Sequence, residues 1–178
     1  MDSILVVCYS YTGTARRLAQ LLCSHRGWPL GEVVEEHPRG GALGTVSCVL
    51  DSLLRRHPAV RYEGPDPADF HTVVLLSPIW MYRLAGPMRS FVAAHREALR
   101  HVAVILTMGR AGASNAVAEI AHTLGRAPIL VRTFTSREVE DGSGTARLFD
   151  FADELLPPST RKQVPFQSAA TFGVRAQS

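Results

Sequence analysis

Along this chain, short unbroken apolar runs alternate with stretches whose apolar positions recur every three or four residues. Ile4-Leu5-Val6-Val7-Cys8 is the first run, and a continuous apolar segment of that length suits a parallel strand buried on both faces. Ala15, Leu18, Ala19 and Leu22 then repeat at helical spacing and predict a helix over about 13–25. A short strand follows at about 31–36, then a helix over about 45–57 with Val46, Val49, Leu50, Leu53 and Leu54 on one face. Thr72-Val73-Val74-Leu75-Leu76 is the third strand. A loop from Ser77 to Gly86 leads to a helix opened by Pro87, where a missing N–H costs nothing. Val102 to Leu106 is the fourth strand, followed by a helix over about 113–124 that Gly125 closes. Ile129 to Arg132 forms the fifth, and a last helix over about 144–156 buries Leu148, Phe149, Ala152, Leu155 and Leu156.

Five strands alternating with five helices predict an α/β fold: a three-layer αβα sandwich around a parallel sheet. In such sheets ligands bind beyond the carboxyl ends of the strands, where the winding reverses. The loops after strands one, three and four would meet there. The first contains Ser10-Tyr11-Thr12-Gly13-Thr14-Ala15, hydroxyl donors and a glycine at the start of a helix, a place suited to holding an anion. It lacks the G-x-x-x-x-G-K-[ST] of triphosphate loops and the G-x-G-x-x-G of dinucleotide loops. Without a cation to neutralise a polyphosphate, it suits one terminal monophosphate. As a helix cap alone, the same turn would be ordinary.

The second loop carries Pro78, Ile79, Trp80, Met81 and Tyr82, with two aromatics that could form a wall against a flat ring or simply plug the core. The third, Thr107 to Ser114, includes Met108, Gly109, Arg110 and Gly112, glycines that let a ligand pass close to backbone or merely shape a turn capped by Ser114.

With these pieces in this order, the chain resembles the flavodoxin-like family of flavin-mononucleotide (FMN) proteins. The resemblance covers residues 1 to about 156 and rests on Tyr9 to Thr14, Ser77 to Trp80, and Gly109 to Gly112. It implies a five-stranded sheet of order 2-1-3-4-5 in the short-chain form, FMN as cofactor, its phosphate on residues 10–15, and its ring between 78–82 and 108–112. Two departures stand out. The phosphate loop ends in Thr14-Ala15 where the family usually has a polar pair, so one hydroxyl is lost while the Ala15 amide remains. Electron-carrier flavodoxins are acidic, whereas this chain has a net charge of +3.

That charge shapes the expected chemistry. Arg83 and Arg110 stand in the loops framing the ring, and no Asp or Glu lies in 77–88 or 107–114. Positive charge near a flavin favours its reduced, anionic form and raises its potential. The resemblance and the charges together point to an oxidoreductase passing electrons from a nicotinamide donor, NAD(P)H, to a quinone, a nitro or azo compound, or free flavin. The alternatives are a one-electron carrier for a redox partner, or a flavin-free binding module on the same fold. No residue is singled out as catalytic.

At 178 residues and 46% hydrophobic, the chain suits one domain with a proper core. No apolar window reaches a membrane span, and a strand begins too early to leave room for a signal peptide, so a cytoplasmic location is expected. Cys8, Cys23 and Cys48 read as buried thiols of a reducing compartment, and the histidines lack paired metal-ligand spacing. The scattered basic residues do not form a nucleic-acid surface. Residues 157–178 read as an extended arm beyond the 1–156 domain. Val164, Phe166 and Phe172 are its apolar anchors, expected to pack on the body of this chain or on a second copy in a homodimer.

Overall fold

The computed structural model describes residues 3–36, 58–109 and 111–156. The helix expected over 45–57, Cys48, Arg110 and the arm 157–178 lie outside the described residues. The elements run β1 (Ile4–Cys8), α1 (Thr14–Arg26), β2 (Leu30–Glu35), β3 (Val60–Glu63), a 3₁₀ turn (Pro67–Asp69), β4 (Thr72–Trp80) and β5 (Arg83–Leu84). They continue with α2 (Gly86–Ala94), β6 (His101–Met108), α3 (Ala113–Leu124), β7 (Leu130–Thr135), α4 (Ser136–Glu140) and α5 (Thr145–Leu155).

The sheet order is β3-β2-β1-β4-β6-β7. Its five parallel strands, β2-β1-β4-β6-β7, have the expected 2-1-3-4-5 order. Two antiparallel additions correct the five-strand count. β3 pairs with β2 at the edge, from Glu32↔Glu63 to Glu35↔Val60. β5 folds back on the end of β4, pairing Ile79↔Leu84 and Trp80↔Arg83. Residues 77–80, expected as loop, are therefore strand.

Side chains alternate between the two faces of each strand, and each face has its own core. Leu5, Val7, Val73, Leu75, Val104 and Leu106 point to the side covered by α2 and α3, where Met88, Phe91 and Ile120 meet them. Ile4, Val6, Cys8, Val74, Leu76 and Ile105 point to the other side, against Leu18 and Leu22 of α1 and Leu148 and Phe151 of α5. Each of these large side chains contributes roughly 1.5–3 kcal/mol when fully buried. One ion pair is folded into the first core's margin. The Arg89 guanidinium, with its side chain 4% exposed, pairs with Glu119 of α3 and donates to the Leu84 carbonyl at 3.0 Å. It thereby joins α2, α3 and β5.

Of the two described cysteines, Cys8 is buried as expected, whereas Cys23 is only half-buried, and both are held as thiols. Burial pushes the Cys8 thiol up to about 12, with Glu32 adding to the effect, and pushes Cys23 up to about 11. The thiolate is the reactive form. In a Cys48→Ser variant, the native protein should resist iodoacetamide from neutral pH to pH 9, and both thiols should label after unfolding. Rapid labelling of the native variant would refute this burial.

Candidate functional site

β1, β4 and β6 end at one edge of the sheet, and their loops form a continuous rim. After β1, Gly13 takes φ +92° and caps α1 without a side-chain cap, so the first N–H groups of the helix lack an intrahelical acceptor. Ser10 Oγ accepts from the Gly13 N–H at 3.1 Å and holds the turn, while the Thr12 and Thr14 hydroxyls stand 3.4 Å apart. Ala15 is 1% exposed with its side chain in the core, so only its backbone can serve the rim. Arg16 is engaged with Glu32 of β2 through two contacts of 3.0 and 2.8 Å. Such a half-exposed pair contributes at most about 1 kcal/mol.

The second loop is a two-residue hairpin with Met81 at φ 47° and Tyr82 at φ 63°. Positive φ at both central residues matches the tight turns that suit β-hairpins, which favour Asn-Gly. Met-Tyr in that geometry costs on the order of 1–3 kcal/mol per residue. Both side chains are more than half exposed, at 52% and 58%. Trp80 does not stand free. Its ring meets Tyr11 edge-on at 5.7 Å and Tyr9 at 5.9 Å between centroids. Ile79 turns inward and is 8% exposed, and Pro78 is half-buried.

The third loop packs under the second. Gly112 has φ +109° and caps α3, again without a side-chain cap, so Ser114 is not the cap. A Cβ placed there would lie 2.5 Å from Tyr82 Cα and 3.1 Å from Ile79 Cγ2. Gly109 has open space at its Cβ position, and Met108 is half-buried against the core. The rim therefore runs from Thr12 through Tyr11, Trp80 and Tyr82 to Gly112.

Glu35 escaped the sequence reading, and with it the way Tyr9 is fixed. The buried Tyr9 donates its hydroxyl to Glu35 Oε1 at 2.6 Å while its ring edges Trp80, so a carboxylate of β2 helps fix the aromatic wall. The signal was available in the strand order, which sets the end of β2 beside that of β1. Arg83 lines a cleft with residues of α3. Among the described residues no group of three or more His, Cys, Asp and Glu could hold a metal, and no helix is long and apolar enough to cross a membrane.

No protein-family model and no curated protein matches the chain. Solved structures do. A flavoprotein from Lactobacillus acidophilus, in complex with FMN, is similar at 19% identity and TM-score 0.66, over 80% of this chain and 99% of that one. A flavoprotein from Bacteroides eggerthii is similar at 20% identity and TM-score 0.63, over 85% of this chain and 99% of that one. A flavodoxin, WrbA-like protein from Agrobacterium tumefaciens is similar at 12% identity and TM-score 0.54, over 85% of this chain and 94% of that one. This chain has the flavodoxin-like fold.

The hairpin strain is measurable. A Met81→Asn, Tyr82→Gly double variant should raise unfolding stability by about 1 kcal/mol or more in urea titrations, because it relieves two left-handed residues. Unchanged or lower stability would mean the turn is not strained. Gly112→Ala should act in the opposite sense, since its Cβ meets backbone.

Proposed function

We propose that this chain binds one FMN non-covalently and works as an oxidoreductase taking electrons from a nicotinamide donor. The observation that carries the reading is the continuous rim: a helix start with no side-chain cap, beside the paired Thr12 and Thr14 hydroxyls, joined through Tyr11 and Trp80 to an aromatic hairpin, which Gly112 allows to seat on the third loop. The donor set fits a flavin monophosphate. Thr12, Thr14 and the N–H groups of Thr14 and Ala15 would hold the phosphate, with Gly13 shaping the turn through its bond to Ser10, and Trp80, Met81, Tyr82, Gly109 and Gly112 would border the ring. FMN, when bound, supplies the redox chemistry, and the chain binds it, orients it and limits its contact with water. FMN in complex with the Lactobacillus flavoprotein supports this assignment by fold likeness.

Charge favours the oxidoreductase over the carrier. A carrier that works at low potential needs carboxylates free at the flavin edge. Here Glu32 is paired with Arg16, Glu35 accepts from Tyr9, and the described rim loops contain none.

Titration should quench FMN fluorescence with one site per chain, and riboflavin, which lacks the phosphate, should bind far more weakly. Equal affinities would exclude the phosphate cradle. Thr12→Val should weaken FMN binding by about 1.5–3 kcal/mol, the worth of a hydrogen bond to a charged group. Trp80→Ala and the Met81→Asn, Tyr82→Gly variant should shift the visible flavin bands and loosen binding. Under anaerobic conditions NADH or NADPH should bleach those bands. A flavin-loaded protein that neither donor reduces would instead be a carrier.

A further inference from the structure

Outside the rim, a cleft of about 300 Å³ lies between β5 and α3, lined by Arg83, Asn115, Ala118, Glu119 and His122. We propose that it binds the phosphate of the nicotinamide nucleotide, with Arg83 as its cation. The proposal rests on the oxidoreductase reading and deepens it by naming where the donor is held.

The four helical residues fall at positions i, i+3, i+4 and i+7 of α3, one face of the helix, and three of them are polar. Glu119 does not neutralise the cleft, because its carboxylate pairs with the buried Arg89. Arg83 is half-buried and has no ion-pair partner among the described residues. Half-burial weakens water's screening of its charge, so an incoming anion is attracted more strongly than at an open surface. Asn115 offers amide donors, and His122 offers a ring N–H.

Size narrows the ligand. At roughly 30 Å³ per water, the cleft holds the volume of about ten waters, enough for a phosphate or diphosphate group but not for a whole dinucleotide. Among the described residues that line it, three of the four on α3 are polar, which suits a polar guest. Position narrows it further. Arg83 directly follows Tyr82 at the hairpin tip, and it pairs across the hairpin with Trp80. An anionic group held there sits beside the wall proposed for the flavin ring. A donor anchored by its phosphate would keep the rest of its length free to reach the rim.

The test uses the FMN-loaded protein and inorganic pyrophosphate as probe. Calorimetry should detect pyrophosphate binding to the wild type, and ¹⁵N spectra should place the shifts at Arg83, Asn115 and His122. Pyrophosphate should compete with the nicotinamide donor in steady-state assays. Arg83→Gln should abolish the calorimetric signal and raise the donor's KM about tenfold or more, the equivalent of one charge-assisted hydrogen bond, with FMN affinity unchanged. Arg83→Lys should restore part of the loss, which a purely structural role would not predict. Absence of pyrophosphate binding, or an Arg83→Gln protein with wild-type KM, overturns the proposal. Failure of the protein to bind FMN, or of bound flavin to accept electrons from either nicotinamide donor, overturns the oxidoreductase reading instead, and pyrophosphate binding still reports on the cleft by itself.

Discussion

Strand β4 sits between β1 and β6, and its register with both decides where everything at the ligand edge falls. Ile4↔Thr72 through Cys8↔Leu76 fixes it on one side, and Thr72↔His101 through Pro78↔Thr107 on the other. β1 stops at the level of Leu76, so β4 runs four residues further before turning back. Its hairpin therefore projects past the sheet edge between the loops of its two neighbours. Because both faces of β4 are buried from Val73 to Leu76, a one-residue slip would swap the two cores, and the register is strongly specified.

Much of this was legible because buried parallel strands and amphipathic helices leave strong periodic signals. Helix α3 ran over the residues expected, 113 to 124, with a C-terminal glycine in left-handed conformation. The misses have physical causes. β3 is a four-residue antiparallel edge with no buried side chain, so it carries no apolar run. The strand character of 77–84 was hidden because a Met-Tyr turn lacks the Asn-Gly signature of hairpins. α4 did leave a mark: Thr135 and Glu138 form a capping box, and the T-x-x-E spacing stands in the sequence. At the rim, the loops and glycines could be read off the chain, but the Tyr9–Glu35 bond depended on the strand order, since it joins the residue after β1 to the last residue of β2.

The rim loops are held in different ways. The first relies on local devices, the Ser10 hydroxyl accepting from Gly13 and the Thr12 and Thr14 hydroxyls sharing a hydrogen bond. The second is held from three directions: by Tyr9 and Tyr11 against Trp80, by Gly112 beneath Tyr82, and by Arg89 through the Leu84 carbonyl at its base. Arg89 also binds Glu119, so the hairpin base, α2 and α3 are joined through one buried guanidinium. Removing either partner of such a pair typically costs about 3–5 kcal/mol, because it strands a buried charge.

This concentration of support explains how two bulky residues persist in left-handed backbone. A Met-Tyr turn is a poor choice for the hairpin's own stability, and an exposed one gains little from burial. The surrounding contacts more than offset a cost of that size, so the turn is over-determined by packing it does not itself provide. What the fold obtains is a sulfur-containing and an aromatic side chain presented at fixed positions beyond the sheet edge, with Trp80 immediately before them and Arg83 immediately after. A residue pair chosen for turn stability, Asn-Gly, would leave the edge without that apolar surface. The strain is thus the local cost of placing an aromatic and thioether surface and a cation on four consecutive residues.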